Sequence, residues 1–96
     1  MARYITLLRF TEAGAKSIKK SSDRAHAFNQ AAQKSGVTIE GQYWTMGACD
    51  GVLIINASSE EKALHCLTEL AASGGVRTET MQAFVDKEFD AIVGKQ

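Results

Sequence analysis

The stretch that decides the fold is Gly51-Val52-Leu53-Ile54-Ile55-Asn56-Ala57, in which four large apolar residues stand side by side. A short apolar run of this kind predicts a β-strand. Because successive side chains of a strand point to opposite faces, Val52 and Ile54 face one way while Leu53 and Ile55 face the other. Both faces of the sheet that contains this strand therefore need apolar cover.

The other elements follow outward from this strand. Further strands are predicted over residues 3–10, 37–46 and 76–84, which are rich in β-branched, aromatic and aliphatic residues. Helices are predicted after the capping residues Thr11, Ser21, Ser58 (with Glu61) and Asp86. The order β-α-β-β-α-β plus a short C-terminal helix predicts an α+β fold. Two right-handed crossovers would place both long helices on one face of a four-stranded antiparallel sheet, the ferredoxin-like arrangement.

The second face of that sheet has no helix to cover it. Burying one leucine or isoleucine side chain contributes roughly 1.5–3 kcal/mol to stability. Leaving the apolar side chains on one face of the central strand exposed to water would therefore forgo several kcal/mol. An exposed apolar patch of this kind marks an interaction site. We therefore predict a homo-oligomer in which a second copy packs sheet to sheet on this face, with room for an enclosed cavity.

Length and charge narrow the class of protein. The 96 residues fit one domain spanning 1–96, and 11 basic side chains balance 11 acidic ones, so neither nucleic acid nor a membrane surface is an expected partner. No apolar stretch approaches the ~20 residues of a membrane span, and no signal peptide is recognised. Cys49 and Cys66 match no metal or redox spacing. A cytoplasmic protein with no metal and no cofactor is expected.

Four segments carry a resemblance to a known family: Tyr43-Trp44-Thr45-Met46-Gly47, Asp50-Gly51-Val52-Leu53-Ile54, Val76-Arg77-Thr78-Glu79-Thr80 and Ala83-Phe84. They resemble the GYD domain family of small bacterial proteins over nearly the whole chain. The resemblance implies the dimeric α+β barrel type of fold and leaves the function open. The Gly-Tyr-Asp that names the family is here Ala48-Cys49-Asp50, so any role of that tyrosine is absent.

Five residues are candidates for ligand binding: Tyr43, Trp44, Asp50, Arg77 and His26. Tyr43 and Trp44 point to opposite sides of their strand, so one is expected in the core and the other on the sheet face. There the aromatic ring can stack on a flat ligand or anchor a second subunit. Asp50 either forms the hairpin turn or presents a carboxylate at the mouth of a cavity.

Arg77 and His26 each allow two interpretations. Arg77 shares a strand face with Glu79, and the two form either a surface salt bridge or an anion site in which Glu79 holds the guanidinium. His26 lies off the apolar stripe of its helix, which favours a surface position over a place in a cavity.

These residues suit more than one function. The first hypothesis is an oligomeric small-molecule-binding or accessory protein, and the alternative is a cofactor-independent monooxygenase or isomerase of the dimeric α+β barrel kind. A third is an interaction module that oligomerises through its sheet. A sheet face packed solid with aliphatic side chains would exclude the enzyme, whereas a pocket lined by convergent polar groups would favour binding or catalysis.

Overall fold

The computed structural model describes residues 1–94 and has one sheet with the two long helices packed on one of its faces. The strands are β1 (Ala2–Phe10), β2 (Val37–Trp44), β3 (Gly51–Ala57) and β4 (Val76–Ala83). The helices are α1 (Glu12–Lys16), α2 (Ser21–Lys34), α3 (Glu60–Ala72) and α4 (Asp86–Val93), with a 3-10 turn at Ile18–Lys20 before α2. Neighbouring strands are antiparallel in the order β2-β3-β1-β4. The predicted α+β class is confirmed.

The helix caps lie close to the predicted residues. The hydroxyl of Thr11 accepts a hydrogen bond from the amide of Gly14 at 3.1 Å, as predicted. The cap of α3 is Ser59 rather than Ser58, because Ser59 has the extended backbone and its hydroxyl accepts from the amide of Lys62 at 3.2 Å. Helix α4 is preceded by Val85, whose amide donates to the Glu88 carboxylate at 2.8 Å, so Asp86 is inside the helix and does not cap it.

A close backbone approach joins the start of α1 to the start of β4. The hydroxyl of Thr11 donates to the carbonyl of Gly74 at 2.6 Å, and the amide of Thr11 donates to the carbonyl of Gly75 at 3.1 Å. A Cβ atom on Gly14 would overlap the carbonyl oxygen of Gly75. Gly74 itself has a φ of 81°, which favours glycine. The close contact therefore requires glycine at position 14, whereas glycine at position 74 is favoured by its backbone conformation.

Strand β3 divides its side chains between the two faces of the sheet. Leu53 and Ile55 point towards the helices and are 1% and 0% exposed, whereas Val52 and Ile54 point to the other face and are only partly buried. The core around Leu53 and Ile55 consists of Ala32, Val37, Ala57, Ala63 and Cys66. Burial in this core raises the pKa of the Cys66 thiol. The two-faced strand that the apolar run predicts is present in the structure.

We expect Leu53→Ala to lower the free energy of unfolding by about 2–5 kcal/mol, because it removes a fully buried side chain and leaves a cavity. Urea denaturation followed by circular dichroism measures the loss. Leu64→Ala is the matched control, since Leu64 on α3 is 67% exposed and should change stability little. Equal effects of the two substitutions would contradict the assignment of Leu53 to the core.

Candidate functional site

A cavity of about 390 Å³ lies between α2, the C-terminal end of α3 and the helix-facing side of the sheet. We call it the helix–sheet cavity. Its apolar lining is formed by Leu8, Phe10, Ala25, Phe28, Leu53, Leu70 and Val76, and its polar lining by Ser21, Arg24, Gln42, Asp50, Glu69 and Ser73. A largely apolar cavity of this size with a few polar groups is typical of small-molecule sites.

A second cleft of about 420 Å³ adjoins the first and is lined in addition by Ile18, Lys19, Ser22 and Thr45. Trp44 and Ser21 border both spaces. The indole N–H of Trp44 donates to the hydroxyl oxygen of Ser21 at 2.9 Å, which ties the end of β2 to the start of α2. Trp44 is therefore a wall residue of the cavity.

Asp50 fastens the loop between β2 and β3 to the end of β1. Its carboxylate accepts a hydrogen bond from the amide of Phe10 at 2.8 Å, and its own amide donates to the carbonyl of Leu8 at the same distance. Its carbonyl accepts from the amide of Thr45 at 3.0 Å, which closes the loop. Asp50 also lines both the helix–sheet cavity and the second cleft. The same residue therefore closes the loop and lies in the wall of the cavity.

Two further polar residues of the cavity, Arg24 and Gln42, were not among the predicted candidates. The guanidinium of Arg24 donates to the hydroxyl and the carbonyl of Ser17 at 2.8 and 3.1 Å. The side-chain oxygen of Gln42 accepts a hydrogen bond from the side-chain NH2 group of Asn29 on α2 at 3.1 Å. Gln42 is two residues before Trp44, so strand alternation could have placed it on the helix-facing side.

The other candidates lie elsewhere. Tyr43 borders the cavity, but it pairs with Val52 and its ring lies beside Gly41 on the face away from the helices. Tyr43 and Trp44 are 58% and 52% exposed, so the expectation that one of them is core is wrong. Both lie at the outer end of an edge strand, where little chain is available to cover them. His26 is exposed on α2 and lines neither space.

The face of the sheet away from the helices, which we call the open face, is apolar at its centre. Its partly buried or exposed residues are Ile5, Leu7, Tyr43, Val52, Ile54 and Met81. At one end, the guanidinium of Arg3 bonds the Glu40 carboxylate at 2.7 Å, and this hydrogen bond lowers the pKa of the Glu40 carboxyl. At the other end Arg9 and Arg77 stand opposite each other on β1 and β4.

Arg77 forms no salt bridge with Glu79 within residues 1–94, so that interpretation is wrong. Both side chains are exposed on an edge strand, where each is solvated separately.

The described residues contain no group of three or more His, Cys, Asp or Glu side chains that could hold a metal ion. None of the helices in the described chain has the length and apolar character needed to cross a membrane.

Comparison with known proteins places the chain in a family. The model of the GYD domain matches residues 4–93. This chain belongs to the GYD domain family. A protein of Thermus thermophilus named glutamine synthetase and cystathionine beta-lyase binding protein is 30% identical over 84 residues, which cover 86% of this chain and 88% of the relative.

Two solved structures resemble this GYD domain protein. TTHA0845 from Thermus thermophilus superposes with a TM-score of 0.56 at 23% identity, over 88% of this chain and 95% of the other. MtbAldR superposes with a TM-score of 0.65 at 16% identity, over 88% of this chain and 53% of the other, so the matched region spans about half of MtbAldR. At these identities the likeness shows the fold alone.

We expect Asp50→Ala to lower the free energy of unfolding by about 1–3 kcal/mol, because it removes the acceptor of the Phe10 amide. Asp50→Asn keeps an acceptor oxygen and should cost less than the alanine variant. Asp23→Ala, at an exposed position on α2, is the control for loss of a carboxylate. A full loss in the asparagine variant, measured by urea denaturation, would mean that the charge of Asp50 matters more than its hydrogen bond.

Proposed function

We propose that this GYD domain protein is a homo-oligomeric accessory protein that binds a small molecule in the helix–sheet cavity. The observation that carries the proposal is the cavity itself, whose lining is largely apolar with a few polar groups. Apolar interior surface supplies affinity, and a few polar groups supply orientation.

Hydrogen bonds within the chain hold the walls of the cavity. The Asp50 carboxylate is bonded to the Phe10 amide, the Arg24 guanidinium to Ser17, and the Trp44 indole to Ser21. These groups hold the walls of the cavity in place by bonding their own chain. A general base needs an unengaged atom within reach of a substrate proton, and in the monooxygenase or isomerase alternative the Glu69 carboxylate or the second carboxylate oxygen of Asp50 would have to serve as that base.

The open face supports self-association. Isoleucine, leucine, valine, tyrosine and methionine side chains form its centre, and the helices pack on the other side of the sheet. A second copy packed sheet to sheet would bury this patch. The strand order with its two helical crossovers supports the ferredoxin-like arrangement, and pairing through the open face would give the dimeric α+β barrel type.

Helix α4 extends the apolar surface beyond the sheet. Its exposed residues, with those just before it, include Phe84, Val85, Phe89, Ile92 and Val93. An isolated helix of eight residues is marginal in water, so packing of this apolar side on another surface would stabilise it. We include α4 in the surface that a second copy covers.

The relative from Thermus thermophilus supports the accessory role, since its name describes binding to two enzymes. We propose that the present protein likewise associates with enzymes, in the cytoplasm of a bacterium, and that the chain acts as one domain over residues 1–96. The ligand in the cavity would then be a molecule that the accessory protein holds and does not convert.

The open-face association is tested by Ile54→Asp, which puts a charge at the centre of the apolar patch and leaves the helix-facing core intact. We expect sedimentation equilibrium to give an oligomer for the wild type and a folded single chain for the variant. Leu64→Asp, on the exposed side of α3, should keep the wild-type mass. A single-chain wild type at high concentration, or an unchanged mass for Ile54→Asp, would overturn the association.

Small-molecule binding is tested by filling the cavity with Leu70→Trp, since Leu70 lines it from α3. Native mass spectrometry of gently purified protein should show added mass on the wild type and less on this variant. Leu64→Trp adds the same side chain outside the cavity and should keep the wild-type spectrum. Equal added mass on all three proteins would place the bound molecule outside the cavity.

A further inference from the structure

We propose that two copies of this protein pack open face to open face with their strand ends reversed, so that helix α4 of each copy covers the Arg9–Arg77 pair of the other. This inference rests on the proposed self-association and names the contact that orients it. Two features of the described chain carry it: a pair of like charges at one end of the open face, and an exposed apolar helix with an acidic border at the other.

The first feature is the pair of arginines. Arg9 and Arg77 stand directly opposite each other on β1 and β4, and both side chains are exposed. Like charges in this position destabilise a sheet. Arg9 donates to the carbonyl of Ala48 at 3.2 Å, and neither arginine forms a salt bridge within residues 1–94. Glu79 shares their face, so two positive charges stand against one negative charge at this end, and an added carboxylate would relieve the repulsion.

The second feature is the apolar side of α4. Residues three and four apart share one side of a helix. On this side the apolar residues, with the one that precedes the helix, are between 44% and 66% exposed: Val85, Phe89, Ile92 and Val93. They therefore contact little of their own chain. Leu7 and Val52 lie next to the arginine pair on the open face and offer apolar surface to such a helix.

Carboxylates border the apolar side of α4. Helix geometry places Asp86 and Asp90 along one edge of that side and Glu88 along the other. Lys87 lies on the opposite side of the helix. Asp86 and Asp90 are one turn apart, with roughly 5–6 Å between their Cβ atoms, and the Cβ atoms of directly opposed strand residues are about 5 Å apart. The helix therefore offers two carboxylates at the spacing of the two arginines.

The topology places the two features at opposite ends of the sheet. Strand β4 starts beside Arg77 and ends at Ala83, opposite Arg3, and α4 follows from that end. A two-fold axis between two stacked open faces either keeps the strand ends together or reverses them. Keeping them together would gather the arginine pairs of both copies at one end and both acidic helices at the other. Reversal brings each helix to the arginines of the other copy, so charge complementarity selects the reversed arrangement.

Charge reversal in two separate variants tests this contact. The arginine variant carries Arg9→Glu and Arg77→Glu, and the helix variant carries Asp86→Lys and Asp90→Lys. We expect each variant alone to raise the dissociation constant of self-association about tenfold or more, because attraction becomes repulsion at both symmetric contacts. Sedimentation equilibrium measures the constants, and circular dichroism shows that each variant is folded.

Mixing the two variants tests whether the contact joins different copies. In a mixed pair the acidic helix of the arginine variant meets unchanged arginines, and the lysines of the helix variant meet the introduced glutamates. We expect the equimolar mixture to associate within about threefold of the wild type. Lys87→Glu is the matched control, since it reverses a charge on the far side of α4 and should leave the dissociation constant unchanged.

Salt gives a second measurement that does not depend on the helix variant. Raising the ionic strength should weaken association of the wild type and strengthen that of the arginine variant, because screening removes an attraction in one and a repulsion in the other. The same salt response in both proteins would overturn the contact.

The remaining outcomes separate this inference from the proposed function. Wild-type association in both charge-reversal variants would overturn the charge contact, and losses that mixing does not restore would overturn its placement between copies. Either result leaves self-association through the open face in place, provided that Ile54→Asp still dissociates the oligomer. A wild-type protein that stays a single chain at high concentration would instead remove the association itself.

Discussion

The alternation of side chains along β3 is the constraint on which the rest of this structure depends. Leu53 and Ile55 occupy the side that the helices cover, and Val52 and Ile54 occupy the side that they leave open. Helices α2 and α3 form a single layer, so they satisfy one face and cannot reach the other. The core and the proposed subunit contact therefore use alternate residues of the same seven-residue strand.

The helices do not cover their own face evenly, and this unevenness creates the cavity. The fully buried residues Ala32, Ala57 and Ala63 surround the C-terminal half of β3, where small side chains let helices and sheet come close. Around Gly51, at the start of β3, the larger side chains of Phe28 and Leu70 are only partly buried. Close packing at one end and bulky side chains at the other leave space over the start of the strand.

The sequence predicts the fold better than the site, for physical reasons that particular residues illustrate. Strand β3 has its predicted bounds because glycine and a dense apolar run mark it locally. Strand β2 ends at Trp44, two residues early, because Thr45 bonds Asp50 across the loop and leaves the ladder. Of the five ligand candidates, Trp44 and Asp50 line the cavity and Tyr43 borders it, whereas Arg77 and His26 lie elsewhere. Arg24 and Gln42 were missed because their neighbours across the cavity are distant in sequence.

The hydrogen bonds of Asp50 help to fix the register of β3 on β1, and this register decides which side chains of β3 face the helices. Its amide bonds Leu8 and its carboxylate bonds Phe10, so it extends the pairing of β1 with β3 past Gly51. A slip of one residue would move Val52 and Ile54 into the core and turn Leu53 and Ile55 to the open face. The core could accept this exchange as far as side-chain volume is concerned, because all four residues are aliphatic. The slipped register would, however, break the two hydrogen bonds of Asp50. The carboxylate that lines the cavity thus also determines which side chains of β3 lie on the open face. This gives a physical reason why the aspartate is the residue of Gly-Tyr-Asp that this chain keeps, in Ala48-Cys49-Asp50.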